Sequence, residues 1–394
     1  MGKNTSIYLD YNATTPTDSR VLDYMLPYYK DKFGNAASFH HKFGQEAKKA
    51  VENSRKILAS ELNGKIREIV FTSGATESIN LAIKGLCGKI GRKKNHIITQ
   101  ATEHKAVLDT CNAMKNKGWE VTMLPVNPEG FVNPDDVLAS LKNETILVAI
   151  MHANNEIGTV QPITDIGHIC REHGIYFLVD AAQSFGKLSI DVQKMNIDLL
   201  AASAHKIYGP KGIGILYVNQ KNPRISLQLQ IDGGSHERGF RSGTLPVPLI
   251  AGFGEAVRIA EEDRDVENEH LLHLRDKLID EIKAAHPDAE LNGSRKKRLT
   301  NNVNICFPGV DAETLIMKMK SVACSTGSAC SSANLEPSHV LKAIGHRNEM
   351  AHSAIRFSLG RFTTEDEIDR AIEIINKTVT AIKKTSPRHR LLSV

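Results

Sequence analysis

The chain has 394 residues, of which 41% are hydrophobic and 24% charged, with a formal net charge of +5. It is too long for one compact core, so two domains are expected, and its composition is that of an ordinary soluble globular protein. That excludes a disordered or fibrous chain, no apolar window approaches a membrane span, and the scattered basic residues point away from direct nucleic-acid binding. The single dense basic run, Arg295-Lys-Lys-Arg298, reads as a solvated loop.

Met1 to Ser6 has neither an apolar core nor an arginine-rich amphipathic stretch, so no signal or transit peptide is expected. Met-Gly-x-x-x-Ser matches a short myristoylation pattern, but the apolar run Ile7-Tyr8-Leu9 follows at once and the match is read as chance. Six cysteines, at 87, 111, 170, 306, 324 and 330, show no C-x-x-C pairing. They read as reduced thiols of a cytoplasmic protein, with neither a disulfide framework nor an intrinsic metal site.

From about residue 65 to 218, short apolar runs alternate with amphipathic stretches. Ile69-Val-Phe-Thr leads into a helix near Thr76–Leu86, and His96-Ile-Ile-Thr into one near Lys105–Asn116. Thr145-Ile-Leu-Val-Ala-Ile-Met precedes a helix after Pro162. Ile175-Tyr-Phe-Leu-Val, Leu199-Leu-Ala-Ala and Ile213-Gly-Ile-Leu-Tyr-Val follow. The pattern predicts an α/β fold with a mostly parallel sheet covered on both faces, and ligands at the carboxyl ends of its strands. Residues 249–285 then read as a helix with a charged middle. After it come Asn302-Val-Asn-Ile-Cys, a helix near Glu313–Met319, Ala354-Ile-Arg-Phe-Ser-Leu, and a terminal helix opened by the capping box Thr364-Glu-Asp-Glu367. The expected division is an N-terminal segment, 1–15, packing with the small domain; a large domain, 16–261; and a smaller α+β domain, 262–394.

The candidate chemistry lies at the ends of the apolar runs. Lys206, in Ser203-Ala-His-Lys206, sits between an apolar run and a glycine-rich turn, which is not the context of a surface lysine. Asp180 ends another run, where a carboxylate wants a cationic partner. A lysine amine for a Schiff base and a carboxylate for a pyridine nitrogen are what a pyridoxal phosphate site needs. A helix N-cap is the alternative for Asp180. Gln183 lies three residues on, and Asn155 in Asn154-Asn-Glu-Ile-Gly158 follows another strand end; both suit the ring oxygen. Gly74-Ala75-Thr76-Glu-Ser78, between strand and helix, offers N–H groups and a hydroxyl to an anion, or is a plain turn. His104 opens a helix past a strand end, where an imidazole can stack on a ring or carry protons. Cys330, among Ser, Thr, Gly and Ala, reads as an accessible thiol in a mobile loop, while Cys324 looks like a strand end. Arg356 inside an apolar strand wants a carboxylate, either an amino acid's or an internal one.

With these residues in order, the chain resembles the pyridoxal-phosphate-dependent cysteine desulfurases, of the housekeeping type that supplies sulfur for iron–sulfur cluster assembly. The match runs nearly end to end. It includes Leu9-Asp-Tyr-Asn-Ala-Thr-Thr-Pro16, Gly74–Ser78, Glu103-His104, Asn154–Gly158, Val179–Gln183, Ser203–Lys206, Arg241-Ser-Gly-Thr-Leu245, Ser325–Cys330 and Ile355-Arg-Phe-Ser. The resemblance implies fold type I of these enzymes and a homodimer with both sites at the interface. It assigns Lys206 to the Schiff base, Asp180 to the pyridinium, and Gln183 and Asn155 to the ring or its oxygen. Ala75, Thr76, Ser203 and His205 would hold the phosphate, with Thr244 doing so from the other subunit. His104 would stack over the ring, Arg356 with Asn155 would bind the substrate carboxylate, and Cys330 would accept the sulfur. The implied partners are L-cysteine, an iron–sulfur scaffold protein whose cluster Cys330 would contact transiently, and other sulfur acceptors. Two features depart from the family pattern. The loop reads Ser325-Thr326-Gly where Ser-Ser-Gly is expected, and the stretch after Lys384 differs from the usual tail that helps dock the scaffold.

The implied reaction converts L-cysteine to L-alanine and leaves a persulfide on Cys330. A selenocysteine lyase or an aminotransferase of the same fold is the alternative, although an aminotransferase has no use for Cys330. A sulfur-carrying scaffold without turnover would not need Lys206, Asp180 and His104 together.

Overall fold

The computed structural model describes residues 6–91, 94–220, 224–326 and 336–385. In chain order the elements are β1 (Ile7–Tyr8), α1 (Ser19–Lys30), α2 (Lys42–Glu61), β2 (Ile69–Thr72), α3 (Ala75–Ile90), β3 (His96–Gln100), α4 (Lys105–Lys115), β4 (Glu120–Leu124) and α5 (Pro134–Ala139). Next come β5 (Thr145–Met151), α6 (Ile163–Glu172), β6 (Tyr176–Asp180), β7 (Leu199–Ser203), β8 (Gly214–Val218) and α7 (Val247–Ala285). The last are β9 (Glu290–Leu291), β10 (Asn302–Cys306), α8 (Ala312–Lys318), β11 (Val322–Ala323), α9 (His339–Ala343), α10 (Asn348–Ala351), β12 (Ala354–Ser358) and α11 (Glu365–Thr385).

A seven-stranded sheet runs in the order β2-β8-β7-β6-β5-β3-β4. Its pairs are parallel from β7 through β4, and β8 is antiparallel to both neighbours. The apolar runs are continuous because both faces are covered, and alternation assigns each residue to one face. Val148, Ile150, Phe177 and Val179 pack with α1, α2, α6 and the start of α7. Leu147, Ala149 and Leu178 face the other way, against α3 and α4. Burying each such side chain is worth about 1.5–3 kcal/mol, so register is strongly enforced.

A separate apolar cluster joins Ile7 and Leu9 to β10, β12, α8, α11 and the second half of α7. There β10 pairs antiparallel with β9 and β12, while β1 pairs parallel with β11. The 39-residue α7 serves both cores, with Val247 to Ala260 buried at one end and Leu271 to Ile282 at the other. Its start packs closely on α1 and α2: a Cβ at Gly252 would lie 2.4 Å from Met25 Sδ, and one at Gly254 2.7 Å from Ser54 Oγ.

Candidate active site at the strand ends

The strand ends of the large sheet surround a cavity of about 520 Å3. It is lined by Ala75 and Thr76 from the start of α3, His104 from α4, Asn155 past β5, Asp180 and Gln183 past β6, and Ser203, His205 and Lys206 past β7. Ala13 and Thr14, from the turn after β1, complete it. The sequence-expected residues are thereby gathered, apart from Arg356, Thr244 and Cys330.

Lys206 is placed by a tight turn. β7 ends at Ser203, and one 3-10 turn, Ala204–Lys206, carries the lysine. Gly209 closes the turn, since a Cβ there would stand 2.9 Å from Ala204 Cβ. Tyr208 takes a left-handed φ of 63°, a cost of about 1–3 kcal/mol for a bulky residue. Its N–H donates to Thr15 Oγ1 at 2.9 Å, its carbonyl accepts Asp18 N at 2.9 Å, and Arg361 stacks 4.3 Å from its ring centre. Lys206 Nζ donates to the carbonyls of Asn12 (2.6 Å) and Ala13 (2.8 Å). Gln183 Nε2 donates to the same Asn12 carbonyl at 2.9 Å, and its Oε1 has no partner among the described residues.

Asp180 accepts a hydrogen bond from Ala182 N at 2.9 Å. The chain after it is a turn and not a helix, so the helix N-cap alternative does not form, and the carboxylate lines the cavity. Burial pushes its pKa up, against the opposing charges of His104 and Lys206. Beside it, burial and Asp180 push Glu103 up to about 8. Glu103 Oε1 accepts Gln100 Nε2 at 2.8 Å and Met151 N at 2.5 Å, and Oε2 has no partner among the described residues. His104 caps α4, its Nδ1 accepting Ala106 N at 3.0 Å, so the neutral ring carries its proton on Nε2. Burial first, then Lys206, Lys211 and Lys187, push His205 down to about 4; its Nδ1 lies 3.1 Å from Thr14 Oγ1.

The start of α3 is open to an anion. Gly74 is its N-cap, with no side-chain cap, and Thr76 and Ser203 supply hydroxyls at the same end of the cavity. A Cβ at Gly214 would meet Gly74 Cα at 2.6 Å, so glycine at 214 permits this turn to close on β8. Thr244 is exposed and does not line the cavity. Its segment is nonetheless tethered there, because Arg241 Nε donates to Glu77 Oε1 at 2.9 Å. A buried fork from Arg55 (2.8 and 2.7 Å) holds Glu237, which together with Arg238 takes a left-handed φ.

Arg356 is buried in β12. It donates to Asp10 Oδ1 at 2.7 Å and the Asn155 carbonyl at 3.1 Å, while its Nε meets no acceptor among the described residues. Cys330 lies outside the described residues, as does the chain after residue 385. The described ends of its segment are both pinned beside the cavity. Ser325 pairs with the Arg356 backbone at 2.7 and 3.2 Å, Ser338 Oγ donates to Glu156 Oε2 at 2.5 Å, and a ring nitrogen of His339 lies 2.9 Å from the Glu103 carbonyl. The described cysteines are poor nucleophiles: burial pushes Cys87, Cys111, Cys170 and the half-buried Cys324 up to about 12.

Sequence reasoning assigned no role to Asp10, the Asn12 and Ala13 carbonyls, or Glu103. Backbone carbonyls carry no side-chain signal, and the only hint was the polar run Asp10–Thr15 directly after a strand. Among the described residues no cluster with metal-ligating character occurs, and no helix is long and apolar enough to cross a membrane.

Residues 7–371 match the aminotransferase class-V family. The chain is 53% identical over 383 residues to a protein of Vibrio campbellii named cysteine desulfurase IscS, covering 97% of this chain and 94% of that one. Among solved structures it is similar to a NifS-like protein at 36% identity, with a TM-score of 0.89 over 95% of this chain and 100% of the other. It is also similar to a chain described as SspA in complex with cysteine, at 40% identity, with a TM-score of 0.80 over 91% and 100%.

Proposed function

The chain belongs to the aminotransferase class-V family, and we propose that it is a cysteine desulfurase that uses pyridoxal phosphate, converts L-cysteine to L-alanine and keeps the sulfur as a persulfide on Cys330. The carrying observation is the convergence of Lys206, Asp180 and the uncapped start of α3 on one cavity of about 520 Å3. The cavity fits the cofactor: a buried carboxylate faces a place for a cation, and free helix amides stand where a phosphate would bind.

Asp180 would hold a proton on the ring nitrogen; Gln183 and Asn155 would contact the ring oxygen; Ala75, Thr76, Ser203 and His205 would hold the phosphate; and His104 would lie over the ring. The bound cofactor supplies an electron sink for the substrate's Cα–H bond. Lys206 Nζ accepts that proton and later returns one, and the Asn12 and Ala13 carbonyls orient the amine when it is free. Neutral His205 hydrogen-bonds without adding charge. Arg356, with Asn155, would meet the substrate carboxylate, its idle Nε being available and Asp10 fixing the rest of its fork. The Cys330 thiolate attacks the substrate sulfur: the carbon–sulfur bond breaks, a sulfur–sulfur bond forms, and the electron pair left on carbon takes a proton to give alanine. The pinned ends of the 327–335 stretch, and the poor nucleophilicity of the described thiols, support Cys330 in this role.

The proposal extends to a homodimer in which Thr244 completes the partner's phosphate site, to a cytoplasmic location, and to delivery of sulfur to an iron–sulfur scaffold and other acceptors. It also keeps the division into 1–15, 16–261 and 262–394, supported by the two separate cores that α7 joins. The test is alanine and sulfide production from L-cysteine, with and without a thiol reductant. Stoichiometric alanine, with sulfide release dependent on reductant, is expected. Pyruvate or keto-acid-dependent amino transfer instead of alanine would overturn it.

A further inference from the structure

A second and larger cleft, of about 910 Å3, opens beside the same strand ends. Met151 lines the catalytic cavity, and His152, the next residue, lines this one. Consecutive side chains leaving a strand point to opposite sides, so one strand end serves two cavities. The cleft is walled by the turn after β4, the starts of α5 and α6, and residues 296–298 of the basic run.

That run is not wholly the solvated loop its composition predicted. Arg295 pairs with Asp280 at 2.8 Å and Lys296 and Lys297 are exposed, but Arg298 is only 5% exposed. Its Nε and Nη2 donate to the Ile157 carbonyl at 3.1 and 2.6 Å, and Nη2 also donates to that of Asn292. Its Nη1 donates to nothing among the described residues. A buried guanidinium with an idle N–H is costly unless something accepts from it. His152 is also 5% exposed, and its Nδ1 has no partner among the described residues. α6 follows Pro162 with no side-chain cap, and the amides of Thr164 and Asp165 meet no acceptor among the described residues. The side chains of Asp136 and Asp165 also line the cleft, so its charged groups are three cations and two carboxylates.

We propose that this cleft is a second ligand site, for a small molecule carrying a phosphate group. A tetrahedral dianion accepts from an arginine, helix amides and lysines in different directions at once, which a planar carboxylate does less well. The two aspartates suit hydroxyl or amine groups on the rest of the molecule, and the volume exceeds what a bare anion needs.

The experiment is isothermal titration of the protein saturated with pyridoxal phosphate, so that the catalytic cradle is filled, using inorganic phosphate and glycerol 3-phosphate as probes, neither of which carries the amine or carboxylate that the catalytic site recognises. One site per chain is expected for each, with glycerol 3-phosphate the tighter. Arg298→Lys should weaken both by about ten-fold or more, the loss of one charge-assisted bond. Because Arg298 also holds two carbonyls, Lys297→Ala at the exposed rim is the companion variant, and should weaken both about two- to five-fold. Absence of heat with both probes overturns the proposal, as does wild-type affinity in Lys297→Ala. Binding seen only in cofactor-free protein overturns it too, since the phosphate would then be in the catalytic cradle.

Discussion

Two cavities share the end of β5, and their buried charges are of opposite sign. The catalytic one buries a carboxylate, Asp180, whose pKa burial pushes up, with Glu103 behind it pushed up to about 8. The other buries a guanidinium, Arg298, that burial and Arg275 push down to about 9. A buried charge pushed toward neutrality advertises the sign of its missing partner: a cation for the first cavity, an anion for the second. The catalytic lysine is held by two carbonyls of the N-terminal turn, whereas in the second cleft Arg298 and His152 each keep a buried nitrogen without a partner among the described residues.

The largest expected effect separates the two outright. Lys206→Ala should lower desulfuration by about 10⁴-fold or more and abolish the visible absorbance of the lysine-linked cofactor, while leaving phosphate affinity at Arg298 unchanged. Turnover near the wild-type rate would remove the central assignment; altered affinity at Arg298 would show that the cavities are not independent. Next, Cys330→Ser should retain cofactor absorbance but release no sulfide. Cys324→Ser should stay within about two-fold of wild type, because a thiol pushed up to about 12 is not ionised at neutral pH. Activity that survives the first change and is lost in the second would move the nucleophile to Cys324.

The buried carboxyl makes a thermodynamic prediction. Glu103 is raised from 4.5 to about 8 in the folded protein, so the unfolded chain ionises first as pH rises. Its contribution to stability is therefore present below the lower value and lost as pH climbs through the higher one. Denaturant unfolding of the cofactor-free protein should show Glu103→Gln gaining a few kcal/mol on wild type between about pH 4.5 and 8. Parallel pH profiles would contradict the raised value and weaken the contrast between the cavities.

A smaller effect concerns Thr244. Removing its hydroxyl should weaken cofactor retention about ten-fold without unfolding the protein. Thr244→Ala mixed with Lys206→Ala after subunit exchange should restore normal affinity in the site that keeps Lys206 and borrows Thr244. Failure of that recovery would place Thr244 in its own subunit's site, or in none.

Sequence alone marked the strands at 69–72, 96–99, 145–151 and 199–202, because a strand buried on both faces shows as a short, mostly apolar run. It also marked Lys206, Asp180, Gln183 and Thr76, since side chains at strand ends stand out against such runs. It placed no element over α1 and α2, whose apolar positions show only as a stripe among charges, nor at β4, an edge strand in which only Leu124 is buried. Only the tertiary structure decided that the Asn12 and Ala13 carbonyls hold Lys206, that Arg356 pairs with Asp10 from the far end of the chain, and that Arg298 turns inward. The reason is physical. Periodicity reports how a segment meets solvent, whereas backbone acceptors and long-range ion pairs depend on which segments the fold brings together.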